Sequence, residues 1–250
     1  MAINCSFQAT SLSVFNPDVY WAELWRQQNV TTGYILPSAM MTVKRRRTMT
    51  KKGYHHGDLR EELIRTALAN LAEQRAHDMS LRKLACQIGV DHSAVYRHFE
   101  NREALLAAMI EFGYQLLNAA IAEAWRSPGS WMTRLHLVLK THLQFAQTNP
   151  NLYEIMFNSG LDETNYPALR QLSIEGTTMF VTYLQQAQAD GMLLGREPKQ
   201  LALTMCSMCQ GLAQMLLSNQ FDGPFAKADE NLDQLVDRVI ACMNVGTEER

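Results

Sequence analysis

From Gly57 almost to its end, this chain repeats apolar residues at every third or fourth position, and nowhere in the alternating rhythm of a strand. Leu59, Leu63, Ile64, Ala67, Leu68 and Leu71 fall on one helical face, opened by Asp58. Ser80 is placed to cap a second helix over residues 81–87, and Asp91 a third over 92–99. Asn101 opens a long fourth helix, with Glu103 in its first turn and apolar residues through Leu117. Pro128-Gly129 then breaks the chain. Residues 131–147 resume the period, Asn149-Pro150 restarts a helix through Phe157, and the longest helix spans about 168–190. Pro198 begins another, Gly223-Pro224 closes that region, and residues 232–243 make the last. The expected class is all-α, with a small three-helix unit over residues 49–103 joined to a larger helical unit over 104–246.

Residues 1–48 do not share this rhythm. They hold Pro17, Gly33 and Pro37, scattered aromatics and the run Lys44-Arg45-Arg46-Arg47; residues 20–28 are the one short helical candidate. The segment is expected to be disordered, either as a true extension or through a start set too far upstream, which Met40, Met41 and Met49 favour. It carries no signal-peptide pattern. Residues 201–221 lack any formal charge and are long enough to span a bilayer. Their polar residues, however, form one stripe (Thr204, Ser207, Gln210 or Gly211, Gln214, Ser218) opposite Leu201, Met205, Met208, Leu212 and Met215, the pattern of a helix in a water-soluble fold.

Charge adds an asymmetry that the net value of −2 hides. Residues 41–102 carry 13 Lys/Arg against 7 acids, a local +6, while residues 103–250 carry 9 against 16, a local −7. A basic front on an acidic body points to a polyanion partner for the front alone.

The front also contains a motif. In Ser80-Leu-Arg-Lys-Leu-Ala-Cys-Gln-Ile-Gly-Val-Asp-His-Ser-Ala-Val-Tyr-Arg-His-Phe99, Ala85 is small where two helices cross and Gly89 sits at a turn needing positive φ. Leu84, Ile88, Val90 and Val95 are spaced to pin the pair to the first helix. The free face of the third helix then presents His92, Ser93, Ala94, Tyr96, Arg97 and His98, a shape suited to a DNA major groove about 12 Å wide.

Tyr54-His-His-Gly-Asp-Leu-Arg60, the segment Ser80–Ala85, Gly89-Val90 and Tyr96-Arg-His-Phe-Glu-Asn-Arg-Glu-Ala-Leu-Leu106, in this order and spacing, resemble the N-terminal domain of TetR/AcrR-family transcriptional regulators. Asn149-Pro-Asn-Leu-Tyr-Glu-Ile-Met-Phe157 resembles one subgroup of the family's ligand-binding domains, the WHG type. At that subgroup's Trp and His-Gly positions this chain has Ser207-Met-Cys-Gln-Gly-Leu212, keeping only the glycine. The resemblance implies a helix-turn-helix DNA-binding domain joined to an effector-binding and dimerisation domain. It implies phosphate contacts from Ser80, Tyr96 and Arg102, base contacts from Ser93, Ala94 and Arg97 with His92 and His98 beside them, and Arg82 within the same surface. Lys51 and Lys52, with the Arg45–Arg47 run, would form an arm to the flanking DNA. The implied partners are a palindromic double-stranded operator, a second copy of the chain, and a small apolar or amphipathic effector that releases repression. No membrane partner is implied, and the location would be cytoplasmic.

Many of the fourteen methionines fall late in the chain, and they mark an adaptable apolar pocket. Its expected lining is Phe112, Met156, Phe157, Met179, Phe180, Tyr183, Met205, Met208 and Cys209. Five cysteines at irregular spacing fit a reducing compartment better than a disulfide framework. Cys206-x-x-Cys209 lies in an apolar helix without nearby cations or a second Cys/His pair, which favours packing over metal binding or redox sensing. No GxSxG, phosphate-cradling glycine loop or HExxH is present, so neither enzymatic activity nor a cofactor is expected.

Overall fold

A computed structural model of the chain describes residues 56–73, 80–192, 197–218 and 231–242, all within one compact unit running from Tyr54 to Arg250. The expected N-terminal extension, its basic run, Lys51 and Lys52 lie outside the described residues. Among the described residues the regular structure is helical: α1 (His56–Glu73), α2 (Leu81–Ile88), α3 (His92–Tyr96), α4 (Arg102–Arg126), α5 (Trp131–Thr148), α6 (Pro150–Asn158), α7 (Pro167–Ala189), α8 (Pro198–Leu217) and α9 (Leu232–Cys242), with one 3₁₀ turn at Glu163–Asn165 before α7.

The starts follow local chemistry. Ser80 Oγ, Asp91 Oδ1 and Asn101 Oδ1 accept from the Lys83, Ser93 and Ala104 amides at 3.2, 2.8 and 2.8 Å, each satisfying a donor that the helix leaves unpaired. Three further helices begin on prolines (Pro150, Pro167 and Pro198), where a missing N–H costs nothing.

Three boundaries differ from the sequence reading by two residues or more. The first helix opens two residues before Asp58. The third ends at Tyr96 instead of Phe99, because the His98 and Phe99 amides both turn back to the Val95 carbonyl at 2.9 and 3.0 Å. The fourth runs on to Arg126, well past Leu117. Its second half is rich in alanine, which favours helix but shows little amphipathic contrast.

α1, α2 and α3 bury Leu59, Leu63, Ala67, Leu84 and Val95 against one another, together with Phe99 beyond the end of α3. Arg60 lies over the Phe99 ring, 5.3 Å from its centroid. α4 continues from this head into the body, where it packs on α5, α6 and α7; α8 packs on both α5 and α7, and α9 on α5. By length and composition α4 is apolar enough to cross a membrane, but Leu105, Met109, Ile110, Leu117 and Trp125 are buried among the other helices.

At Gly113, α4 and α6 come so close that a Cβ would sit 2.5 Å from Met156 Sδ, so only glycine fits without displacing that side chain. Asn151 at the start of α6 donates to the Leu71 carbonyl at 2.7 Å, tying the body to the far end of α1. Polar contacts hold α9 on α5: Lys140 Nζ lies 2.6 Å from Asp233, and His136 Nε2 lies 3.2 Å from Asp237.

Candidate nucleic-acid interface

The turn between α2 and α3 sets the geometry. Gly89 adopts φ +76°, and its amide and that of Val90 both bond to the Ala85 carbonyl, at 2.9 and 3.0 Å. This αL ending stops α2 within one residue and re-aims the chain into α3. Val95 and Phe99 are buried, which fixes the rotation of α3. Arg82, His92, Ser93, Tyr96 and Arg97 are consequently exposed, as is Arg102 at the start of α4, while Ala94 and His98 are half-buried beside them. Tyr96 is 52% exposed, unusual for so large a ring.

Ser80 and Ser93 have local bonds. Ser80 Oγ accepts from the Lys83 amide, leaving its own proton to donate outward. The Ser93 side chain and amide both bond Asp91, and these bonds hold that carboxyl below its ordinary range. Lys83, which the sequence reading passed over, is exposed beside Arg82. The surface thus combines cations, hydroxyls and the Tyr96 ring on one face of a helix-turn-helix, suited to phosphates and base edges.

The nine residues expected to line an effector pocket fall into several groups. Phe157 packs against Tyr153 and Tyr114, with ring centroids 4.4 and 5.9 Å away. Met156 fills the space at Gly113, and Met205 and Cys209 are buried in α8. Phe180 and Tyr183 gather instead on Trp125, at 5.9 and 4.6 Å. Met208 faces elsewhere, into an open apolar groove of about 300 Å³ between α8 and α9 that Leu212, Met215, Leu235 and Val239 also line. Phe112 and Met179 are half-buried. The sequence reading missed the partners of two histidines: His136 meets Asp237 on α9, and His142 Nε2 lies 2.9 Å from the Tyr153 hydroxyl. Neither partnership follows from spacing, since the residues are 101 and 11 positions apart.

Burial raises the thiol pKa of Cys206, and that of Cys209 to about 12. Neither forms an appreciable thiolate near neutral pH, so Cys206→Ser should leave the response of DNA binding to peroxide or diamide unchanged. An oxidant-dependent loss of binding that Cys206→Ser abolishes would contradict this.

A further surface lies on α7 and α8, which pack on each other. Gln171, Ile174, Thr178, Thr182 and Gln185 on α7, and Gln200, Leu203, Thr204, Ser207, Gly211 and Gln214 on α8, are exposed or nearly so and carry no charge. Leu203 is 68% exposed and Ile174 48%. Two adjoining uncharged stripes with apolar residues standing in solvent are what an unpartnered interface looks like.

Two family models match in order along the chain. "Bacterial regulatory proteins, tetR family" covers residues 63–109, and "Tetracyclin repressor-like, C-terminal domain" covers 135–239; together they span more than half of the sequence. The chain belongs to the TetR family. The N-terminal match covers α2, α3 and the start of α4, and the C-terminal match contains the segment Asn149–Phe157 that resembled the family's ligand-binding domains. SlmA of Photobacterium profundum, a nucleoid occlusion factor, is 36% identical over 104 residues, which is 41% of this chain and 53% of that protein. The chain spans about half the length of the first such relatives it matches. Among solved structures, a Rhodococcus sp. RHA1 protein of unknown function aligns with TM-score 0.68 at 24% identity, over 79% of this chain and 100% of that one. The TetR-family transcriptional regulator PfmR of Thermus thermophilus aligns at 0.56 and 17% identity, over 75% and 99%. These likenesses extend the TetR fold across both head and body. The family is one of bacterial regulatory proteins, and the N-terminal match contains the helix-turn-helix of α2 and α3.

Proposed function

We propose that the chain is a homodimeric repressor whose two heads read half-sites about one DNA turn apart, ~34 Å, and which a small effector in the body releases. The observation that carries this reading is the exposed face of α3, with Tyr96 and Arg97 outward and Val95 and Phe99 locked into the core. The charge-free stripes of α7 and α8 support pairing of two copies, so that each operator half meets one head. In this reading residues 49–103 serve as the DNA-binding domain and 104–246 as the effector-binding and dimerisation domain. Effector binding favours a spacing of the heads that no longer fits the operator, a shift of population between two states. The setting is the cytoplasm, and the protein performs no catalysis.

Selection of genomic fragments by the full-length protein at fixed, stated salt tests the function. A few palindromic sites at promoters are the expected result. The relatives named nucleoid occlusion factors supply a second reading, in which the same surface serves nucleoid occlusion instead of the control of a few promoters. A broad set of dispersed specific sites would favour it. Salt-sensitive binding without sequence preference would overturn both.

Within the operator, Arg97→Ala should cost about 1–3 kcal/mol of discrimination at one base pair, roughly 5- to 150-fold in relative affinity. Competition between the selected operator and single-base variants measures it. An unaltered preference at every position would remove Arg97 from base reading.

A further inference from the structure

Ser80 and Ser93, both on the reading surface, hold their hydroxyl protons in opposite ways. Ser80 Oγ accepts from the Lys83 amide at 3.2 Å, so its own proton is free to meet an outside acceptor such as a phosphate oxygen. Ser93 is engaged the other way round. Its amide donates to Asp91 Oδ1 at 2.8 Å, and its hydroxyl bonds the same carboxyl. These bonds, with His92 and Arg97 nearby, hold the carboxyl below its ordinary range, so it is ionised at neutral pH. A carboxylate only accepts; the serine is therefore the donor, and its one proton points inward. What Ser93 offers outward is lone pairs.

That polarity matters because of where Ser93 stands. It is exposed, three and four positions before Tyr96 and Arg97, which on a helix is the same face. Burial of Val95 and Phe99 keeps that face turned outward. The first residues of a recognition helix are those that reach base edges in the major groove. There adenine N6 and cytosine N4 carry amino donors, whereas guanine N7 and O6 and thymine O4 are acceptors. A hydrogen bond to an ionised acceptor is roughly twice as strong as one to a neutral acceptor, so a keto oxygen does not draw the Ser93 proton away from Asp91. An amino group meets the lone pairs favourably; a keto oxygen meets them with repulsion.

We propose that Ser93 reads its base as an acceptor alone, so that each half-site carries adenine or cytosine opposite it, and that Asp91 is the positioning residue that imposes this polarity. The proposal rests on the reading above of α3 as the helix that contacts DNA, and it adds which chemical half of the base alphabet one position selects.

The test uses full-length protein and the operator obtained by selection, in duplexes varied at every position at fixed salt. At one position on one strand of each half-site, adenine or cytosine should be preferred over guanine or thymine by about tenfold, the worth of one hydrogen bond. Replacing that adenine by purine, or that cytosine by pyrimidin-2-one, removes the amino group and should cost the wild type about tenfold more than it costs Ser93→Ala. Asp91→Ser keeps an oxygen for the Ser93 amide but leaves no carboxylate for its hydroxyl. At that position alone, the variant should bind guanine and thymine as well as adenine and cytosine. Asp91→Asn, whose side-chain oxygen still accepts both bonds, should recover the preference. If Asp91→Ser does not fold, Asp91→Gly replaces it, since glycine is tolerated at a helix start. A keto base at the Ser93-dependent position, a loss in Ser93→Ala that is equal for all sequences or absent, or an amino preference that survives loss of the Asp91 carboxyl would overturn the proposal. Any of these results with a preferred operator leaves the repressor reading standing, whereas binding without a preferred sequence removes both.

Discussion

Leu203→Arg should convert the dimer to a monomer and weaken operator binding by about a hundredfold or more. Leu203 is the most exposed large apolar side chain among the described residues, at 68%, and it sits in an uncharged stripe of α8 beside the uncharged stripe of α7. Pairing of these faces buries it; an arginine there would carry its charge into the interface twice, once from each copy. The effect on DNA follows from linkage. When one head of a dimer binds its half-site, the second acts at the high effective concentration set by the body, worth about 10²–10⁴ in affinity. A monomer loses that factor while each head keeps its own contacts. Sedimentation equilibrium at micromolar protein, with fluorescence anisotropy on an operator duplex at fixed salt, measures both parts. A dimer of undiminished stability in the variant would show that the α7–α8 face is not the interface.

Acid should destabilise this fold through His142. In the folded protein its pKa is about 4, against about 6.5 in an unfolded chain, so between these values the unfolded state binds the proton more readily. Stability is therefore present in full above pH 6.5 and is lost as pH falls through 6 and 5 toward 4. The loss is at most about 3 kcal/mol, reduced by whatever water reaches the ring. Carboxylates also contribute to acid sensitivity, so the informative quantity is the difference between wild type and His142→Leu. The variant should be less stable at pH 7.5, since the Tyr153 hydroxyl loses its partner, but the gap should narrow steadily down to pH 4.5. Urea midpoints across that range supply the measurement. Parallel curves for the two proteins would mean that His142 does not titrate between the folded and unfolded states.

Local chemistry was legible in the sequence because it acts over three or four residues. Ser80, Asp91 and Asn101 announce their helices by offering an oxygen to an amide two or three positions on, and Gly89 announces the turn by its freedom at positive φ. The outward set on α3 was legible for the same reason: once Val95 and Phe99 must be buried, helical geometry leaves Tyr96 and Arg97 outside. What periodicity does not carry is partnership across helices. Met205 and Met208 differ by three positions on one helix and read alike in sequence, yet one is fully buried and the other opens on the groove beside α9. His142 offered no metal-ligand spacing, and its significance rests on Tyr153, brought to it by the turn at Asn149-Pro150. The bond from Asn151 to the Leu71 carbonyl joins residues 80 positions apart and has no sequence signature at all.

The uninterrupted run of α4 has a mechanical consequence. Its 25 residues make a rod about 37 Å long, with Arg102 at the head and Trp125 against Tyr183 at the far end. A tilt of about 5° pivoting at one end of such a rod carries the other through about 3 Å, close to the ~3.4 Å step between stacked base pairs. The midpoint of the rod is Gly113, the place where α6 leans on it through Met156. With the Trp125 end held, a side chain or ligand atom that pushes this midpoint aside by about 1.6 Å carries the head through about twice that, close to one base-pair step.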